Sequence, residues 1–379
     1  MKNKKLVIGI TAPQSTMLMR GQLRYFISKG YDVYLLAPEV SQTIEFCNKE
    51  GATLLPISIK REISPFHDLQ SLFQIVRIFR RVKPDIVNLG TPKVSLLGMI
   101  AAKITGVKKR IYTCRGFRFE HEKGGLKKLL VFMERITAVN ANQVLCISQS
   151  VKDLGIERNI FSEKKSVVIN KGSSNGIDLN LYNKNNLNAI KLGELKQKYN
   201  PENKFIFGFL GRIVERKGFK ELLEAFDRIY QNDKNVKLLV VGRPYYDQMD
   251  KATVENANAH PGIDMVGLVG YEETPYYYKL MDVFVLPAYW EGFGNVLIQA
   301  AALGLPIIAA KVTGCKDAVS VKYNGELIQA KNVDVLYETM LKFQNNSELL
   351  EKYSQNGIEW AKNFEPKVIW EGMDKLYLE

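Results

Sequence analysis

The sequence predicts an α/β protein built as two doubly wound, Rossmann-like domains facing each other across a cleft. Three observations predict it. Short apolar runs alternate with amphipathic runs through both halves, which implies parallel strands joined by crossover helices. The length, 379 residues, is more than one small core organises and suits two domains. The charge is also divided. Residues 1–200 hold 33 Lys and Arg against 15 Asp and Glu, whereas residues 201–379 hold 20 against 25. Halves that differ this much suit domains with different partners.

In the first half, LVIGITA (6–12) reads as a strand and 19–29 as a helix. Strand 31–37, a helix at 41–50 and strand 52–58 follow. A long helix then places Leu69, Leu72, Phe73, Val76 and Phe79 on one face, with Arg77, Arg80 and Arg81 largely off it. Pro84 stops it. Strand 85–90, helix 94–105, strand 109–114, helix 124–141 and strands 143–147 and 166–170 complete the half. The stretch 178–203 is polar, asparagine-rich and weakly patterned, and the interdomain linker is placed at 181–203. Alternation resumes with strands at 205–211, 236–242, 263–267, 283–287 and 306–310, and helices at 218–231, 247–258, 273–281 and 295–303. Helices run from about 332 to the end. The domains are therefore expected at 1–180 and 204–360, with a helix over 361–379 packing back on the first.

Composition narrows the class. Hydrophobic content of 46% and charged content of 25% are ordinary for a globular protein. Four scattered cysteines (Cys47, Cys114, Cys146 and Cys315) and three histidines fit neither a disulfide framework nor a zinc site. They are expected reduced and buried. The opening MKNKKLVIGITAP reads as a first buried strand rather than a signal peptide, since its apolar run is short and no small-residue cleavage pattern follows. No run reaches the ~18 apolar residues that span a bilayer.

In parallel sheets, ligands bind beyond the carboxyl ends of strands, beside helix N-termini. Three turns of the second half stand out. GRIVERKG (211–218) offers Arg212 and Lys217, two cations placed to clamp a diphosphate. VGRP (241–244) brings Gly242 and Arg243 toward a nucleotide. PAYWEGFGNVLIQAAALG (287–304) delivers Glu291 into a loop whose Gly292 and Gly294 let backbone amides approach a ligand. Phe293 and Val296 lie in the same turn, and Asn295 stands where an N-cap belongs. Gln299 shares a helix face with Asn295 and points back toward that end. An amide among alanines needs a partner, either a ribose hydroxyl or a local group, because leaving it unpaired costs about 1–3 kcal/mol. Glu291 holding sugar hydroxyls, Gln299 a ribose and the helix end a phosphate would together suit a nucleotide diphosphate sugar. Neither half opens with the G-x-G-x-x-G of dinucleotide oxidoreductases.

GRIVERKG and MDVFVLPAYWEGFGNVLIQAAALGLPIIAAKVTGCKDAV (281–319) closely resemble retaining glycosyltransferases of the GT-B fold, family four of the sequence classification. Glu291 takes the first position of their E-x7-E hallmark; Gln299 stands where the second glutamate binds ribose. The amide keeps the reach and loses charge-assisted strength. RGQLRYFISKGYDVYLLAP, SPFHDLQSL, TPKVSLLGMIAA, RIYTCRGFRFE and NKGSSNGID resemble the subgroup that extends undecaprenyl-diphosphate-linked saccharides for bacterial capsule, exopolysaccharide or glycan assembly. Histidines that many relatives carry near positions 88, 90 and 115 are replaced here by Asn88, Gly90 and Arg115. Ser15 and Thr16 stand in the donor loop, where the family has a glycine pair.

The resemblance implies retaining transfer at the front face of the sugar, with the departing diphosphate helping to accept the acceptor proton. Arg212 and Lys217 would stabilise the leaving group and Glu291 would orient the sugar. The donor would be a uridine diphosphate sugar and the acceptor a polyprenyl-diphosphate-linked saccharide. No cofactor is expected, and no D-x-D metal motif stands in a loop facing the crevice. Lys93, Arg115 and Arg118 are candidates for the acceptor diphosphate. Lys103, Lys108, Lys109, Arg110, Lys123, Lys127 and Lys128 would rest on anionic lipid. The segment 124–136, with Leu126, Leu129, Leu130 and Met133 beside two lysines, is either an interfacial helix or a core helix with a solvated face. The expected place is the cytoplasm, on the inner face of the cell membrane. Three other readings stay open: a nucleic-acid-binding protein, against which the lack of interleaved aromatic and basic motifs speaks; a sugar-nucleotide epimerase; and a binding-only relative disabled at position 299.

Overall fold

The computed structural model describes residues 3–60 and 62–379. The chain divides into two compact units, Met1–Gly176 with Pro366–Glu379 and Ile177–Glu365. Both are α/β with wholly parallel sheets, so the expectation of two doubly wound domains holds.

The first unit runs β1 (Lys5–Gly9), α1 (Gln22–Ser28), β2 (Asp32–Ala37), α2 (Ser41–Glu50), β3 (Thr53–Pro56), α3 (Pro65–Val82) and β4 (Ile86–Leu89). It continues with α4 (Pro92–Ile104), β5 (Lys109–Cys114), α5 (Gly124–Asn140), β6 (Gln143–Cys146), α6 (Gln149–Glu157) and β7 (Ser166–Val168). The strand order is β3-β2-β1-β4-β5-β6-β7. Strands this apolar are buried on both faces, as a parallel sheet requires. One face is covered by α3, α4, α5 and α6.

In the second unit, α7 (Ala189–Tyr199) precedes β8 (Phe205–Leu210), α8 (Phe219–Asn232), β9 (Val236–Val241), α9 (Lys251–Ala259), β10 (Ile263–Gly267), α10 (Thr274–Tyr278) and β11 (Val283–Leu286). Then come α11 (Asn295–Ala302), β12 (Ile307–Ala310), α12 (Cys315–Ala318), β13 (Gly325–Ile328), α13 (Val333–Gln344) and α14 (Ser347–Ala361). The order is β10-β9-β8-β11-β12-β13. Helix α8 packs on α13 and α11 on α14. The last helix, α15 (Pro366–Leu378), belongs to the first unit and buries Ile369, Met373, Leu376 and Tyr377 against α1 and β2.

Several local expectations need correcting. The stretch 181–203 is not a free tether: it clusters with the second unit and carries α7. Tyr182 is buried, its hydroxyl 2.9 Å from Thr274 Oγ1, and Lys191 pairs with Glu273 at 2.6 Å. Its asparagines cap turns of helix, Asn183 and Asn188 among them, which explains a polar composition without disorder. The helix expected at 19–29 begins at Gln22, because a 3-10 turn from Pro13 to Met19 comes first and Gly21 adopts a left-handed φ of 73°. Helices α6 and α12 and strand β13 escaped the periodicity reading, being short and weakly patterned. On α3, Val76 and Phe79 face the core, but Leu69 and Phe73 are 51% and 65% exposed, in line with Phe66.

Two glycines shape the turns beyond β8 and β12. Gly218 is left-handed at φ 69°, and a β-carbon there would stand 2.1 Å from the Pro287 carbonyl oxygen. Gly314, at φ 79°, lies so close to Glu291 and Gly292 that a β-carbon would be 2.6 Å from the Glu291 carbonyl oxygen.

Candidate active site

The carboxyl edge of the second sheet gathers the turns after β8, β11 and β12. A short 3-10 turn, Glu215–Lys217, ends at Gly218, where α8 begins. The Arg216 carbonyl accepts from the Tyr289 amide at 2.8 Å, and the Glu291 amide donates to the Thr313 carbonyl at 3.2 Å. These bonds hold the Glu291 loop between its neighbours.

Lys217, buried in the turn, donates through Nζ to Glu291 Oε1. Arg216 Nη1 stands 4.0 Å from the same oxygen. Its guanidinium carbon lies 4.4 Å from the centre of the Trp290 ring, a cation–π stack. Burial lowers the Arg216 pKa, helped by the charge of Arg212 and opposed by Glu291. Behind the loop, the Tyr289 hydroxyl donates to Glu221 Oε1 at 2.7 Å. Burial, then the Glu291 charge, pushes the Cys315 thiol well up, so this cysteine stays an uncharged packing group. All four cysteines are buried free thiols.

The two expected diphosphate cations part company. Arg212 does not touch Glu291; it lies over the Tyr245 ring at 5.7 Å, and Arg243 lies over the same ring at 5.0 Å. Both are exposed, and among the described residues neither has a carboxylate partner. A bond of 3.0 Å from the Ile213 amide to the Arg243 carbonyl zips these two turns together. Gly242 closes β9 by donating to the Gly267 carbonyl at 2.8 Å. Sequence reasoning thus missed Arg216. Its adjacency to Lys217 was visible, but nothing local tells which of the turn's three cations faces a carboxylate 74 residues on.

Helix α11 opens beside Glu291. Its N-cap is Gly294, not Asn295, which is already the first helical residue. The cap offers no side chain; the Asn295 amide donates to the Phe293 carbonyl at 2.9 Å and the Leu297 amide to the Gly294 carbonyl at 2.8 Å. Gly292 sits partly exposed in the loop, and Phe293 is buried, its ring 5.5 Å from Phe364. Gln299 is buried, and its Oε1 accepts from the Tyr278 hydroxyl at 3.2 Å. That hydroxyl also lies 3.2 Å from the Val296 carbonyl. A protein hydroxyl therefore satisfies one end of the amide.

The remaining candidates lie in the first unit. Thr16 is buried in the 3-10 turn after β1 and donates to the Pro13 carbonyl at 2.8 Å; Ser15 beside it is half-buried. Lys93 is buried at the start of α4, bonded to the Glu62 carbonyl and paired with Asp68 at 2.8 Å. It is a strut between α3 and α4 whose charge is matched inside the fold. Arg115, at the end of β5, donates from Nε to Ser174 Oγ at 2.7 Å and from Nη1 to the Gly90 carbonyl at 2.6 Å. Burial pulls its pKa down to about 10, so it stays charged at neutral pH. Arg118 is exposed, 3.6 Å from Glu122. The seven cations expected on lipid fall into two groups. Lys103, Lys108, Lys109 and Arg110 lie about the start of β5, whereas Lys123, Lys127 and Lys128 lie about the start of α5, beyond its other end. Arg110 is moreover spent on the Asn140 and Val107 carbonyls, at 2.8 and 2.6 Å.

Comparison with known proteins agrees with this picture. Residues 193–360 match the family model described as glycosyl transferases group 1, and residues 10–148 the model described as glycosyl transferase 4-like. The capsular polysaccharide biosynthesis glycosyltransferase CapM of Staphylococcus aureus is 37% identical over 379 residues, covering 100% of this chain and 97% of that protein. The UDP-Gal:alpha-D-GlcNAc-diphosphoundecaprenol alpha-1,3-galactosyltransferase of Escherichia coli is 26% identical over 85% of this chain and 82% of its own length. Among solved structures, Anabaena HepE in complex with UDP superposes with a TM-score of 0.80 at 18% identity, over 98% of each chain. The fold, the full-length similarity and both family matches lead to one conclusion: the chain belongs to the group 1 glycosyltransferases.

Proposed function

We propose that this glycosyltransferase moves a sugar, with retention of configuration, from a uridine diphosphate sugar to a saccharide carried on a polyprenyl diphosphate. The observation that carries the donor side is the Lys217–Glu291 pair at the mouth of α11. A diphosphate would take Lys217 and the exposed Arg212, beside the N-terminal end of α11, whose dipole favours an anion. Glu291 would then turn to the sugar hydroxyls, and Gln299, through the amide end not bonded to Tyr278, to the ribose. Gly242, Arg243, Ser15 and Thr16 remain donor-side candidates, and Arg115 and Arg118 acceptor-side ones. Catalysis would rest on position and on stabilising the leaving diphosphate, without a metal ion. The names of the Escherichia coli and Staphylococcus aureus relatives support the lipid-linked acceptor and the pathway, surface polysaccharide assembly.

An anionic membrane surface is the proposed second partner. No described helix is long and apolar enough to cross a membrane. Helices α3, α4 and α5 form one layer on the first sheet. Their only acidic residues are Asp68, paired with Lys93, and Glu134, which is buried. Arg77, Arg80, Arg81, Lys103, Lys128 and Arg135 are exposed. Phe66, Leu69, Phe73, Leu126, Leu129 and Phe132 are exposed among them. A face with large apolar groups, cations and no outward carboxylate fits anionic lipid.

Thermal unfolding with UDP, GDP, ADP and their sugars tests the donor reading. A ligand at 100 times its Kd adds about 2.7 kcal/mol of apparent stability. The UDP compounds should raise the melting temperature, and Lys217→Ala should abolish the rise. A rise that survives this change would mean the donor site lies elsewhere.

A further inference from the structure

We propose that Arg216 is a positioning residue that takes over the Glu291 carboxylate when an incoming diphosphate draws Lys217 away. The inference rests on the donor reading above but uses its own observations. Among the described residues, Arg216 Nη1 is buried without a hydrogen-bond acceptor. A buried donor left unsatisfied is costly and calls for a reason. The nearest anion is Glu291 Oε1 at 4.0 Å, already held by Lys217. One carboxylate oxygen thus has one cation in contact and a second in reserve. Trp290 under the guanidinium and the Tyr289-to-Arg216 backbone bond of 2.8 Å fix the reserve cation beside the loop it serves.

The charges explain why a reserve is needed. The Glu291 side chain is 14% exposed, and a carboxylate so enclosed cannot cheaply lose the cation in contact with it. In the structure Lys217 rests on Glu291. When Lys217 swings to the phosphate, Arg216 needs to close little more than an ångström to form a charge-assisted bond near ~2.8 Å. Glu291 then stays aimed, one oxygen held by Arg216 and the other facing the sugar. Arg212 cannot serve, since it lies over Tyr245.

The unfolding test needs no nucleotide, so it judges Arg216 even where the donor reading fails. Thermal unfolding of the full chain is measured for Lys217→Met, Arg216→Met and the double variant, each with Glu291 and with Glu291→Gln. With Glu291 present, the double variant should melt about 2–4 °C below the sum of the single effects, because the carboxylate has lost both cations. With Glu291→Gln the effects should add. Additivity in the presence of Glu291 overturns the proposal, as does an excess that survives Glu291→Gln, since that assigns it to packing on Trp290. If the double variant does not fold, adding Glu291→Gln should restore a folded chain; failure to do so overturns the proposal. In turnover, Arg216→Met should keep the UDP Kd within about threefold while kcat falls about tenfold, and Arg216→Lys should recover part of the loss. An equal loss of UDP affinity would make Arg216 a nucleotide ligand instead.

Discussion

Glu134 is a carboxyl group buried inside α5, its Oε2 accepting from the Tyr112 hydroxyl at 2.6 Å. Burial raises its pKa to about 7, the Tyr112 bond opposing the rise. The folded state therefore holds the proton more tightly than the unfolded chain. Stability from this group is full below about pH 4.5 and is lost as the pH rises through about 7. Glu134→Gln should flatten the fall in first-unit stability between those pH values, by an amount on the order of 2–3 kcal/mol. Urea unfolding at half-unit pH steps checks this; an unchanged slope would mean another group titrates. At the same scale, the residue types around Glu291 were legible in the sequence, and their pairing was not. Lys217 and Glu291 could be named from spacing, whereas Tyr278 meets Gln299 and Trp290 meets Arg216 only through the fold.

Helix α3 shows why an element's pattern can mislead. Its apolar residues are too many for one core stripe, so the helix has two apolar lines. One, with Ile75, Ile78, Phe79 and Val82, packs into the core. The other, Phe66, Leu69 and Phe73, faces outward and continues into Arg77, Arg80 and Arg81. The reading that grouped Leu69 and Phe73 with Val76 and Phe79 merged the lines, because residues three and four apart neighbour each other on either side of a stripe. The outward line carries a prediction. Phe66→Asp with Phe73→Asp should lower flotation with phosphatidylglycerol vesicles at least tenfold, leave the melting temperature nearly unchanged and matter little with phosphatidylcholine alone. Loss of self-association in light scattering, with flotation intact, would identify a second copy of the chain as the partner instead.

Over the whole molecule, the chain crosses from the first unit to the second after Gly176 and returns after Glu365. The return delivers α15, whose Ile369, Met373, Leu376 and Tyr377 complete one face of the first core. The Tyr377 hydroxyl accepts from the buried Asn88 side chain at 2.7 Å, and Asn88 accepts from Thr113 at 2.6 Å. Four apolar side chains at about 1.5–3 kcal/mol each rival the whole stability of a typical domain, ~5–15 kcal/mol. A chain ended after Glu365 should therefore lose cooperative folding of the first unit and keep that of the second. Amide hydrogen exchange reports both, and protection retained in β1 and β2 would contradict the expectation.

The sequence by itself determined the alternation of strand and helix, the doubly wound class and the turns that carry the candidate site, because periodicity, prolines and glycines act over a few residues. Only the tertiary structure decided which charges meet. Lys93 turned out to be matched by Asp68, Arg212 to lie with Arg243 on Tyr245, and Arg216 with Lys217 to share Glu291. Partners 25 and 74 residues apart in sequence meet through sheet order and left-handed turns, and no local pattern encodes the direction in which a long cationic side chain finds its anion.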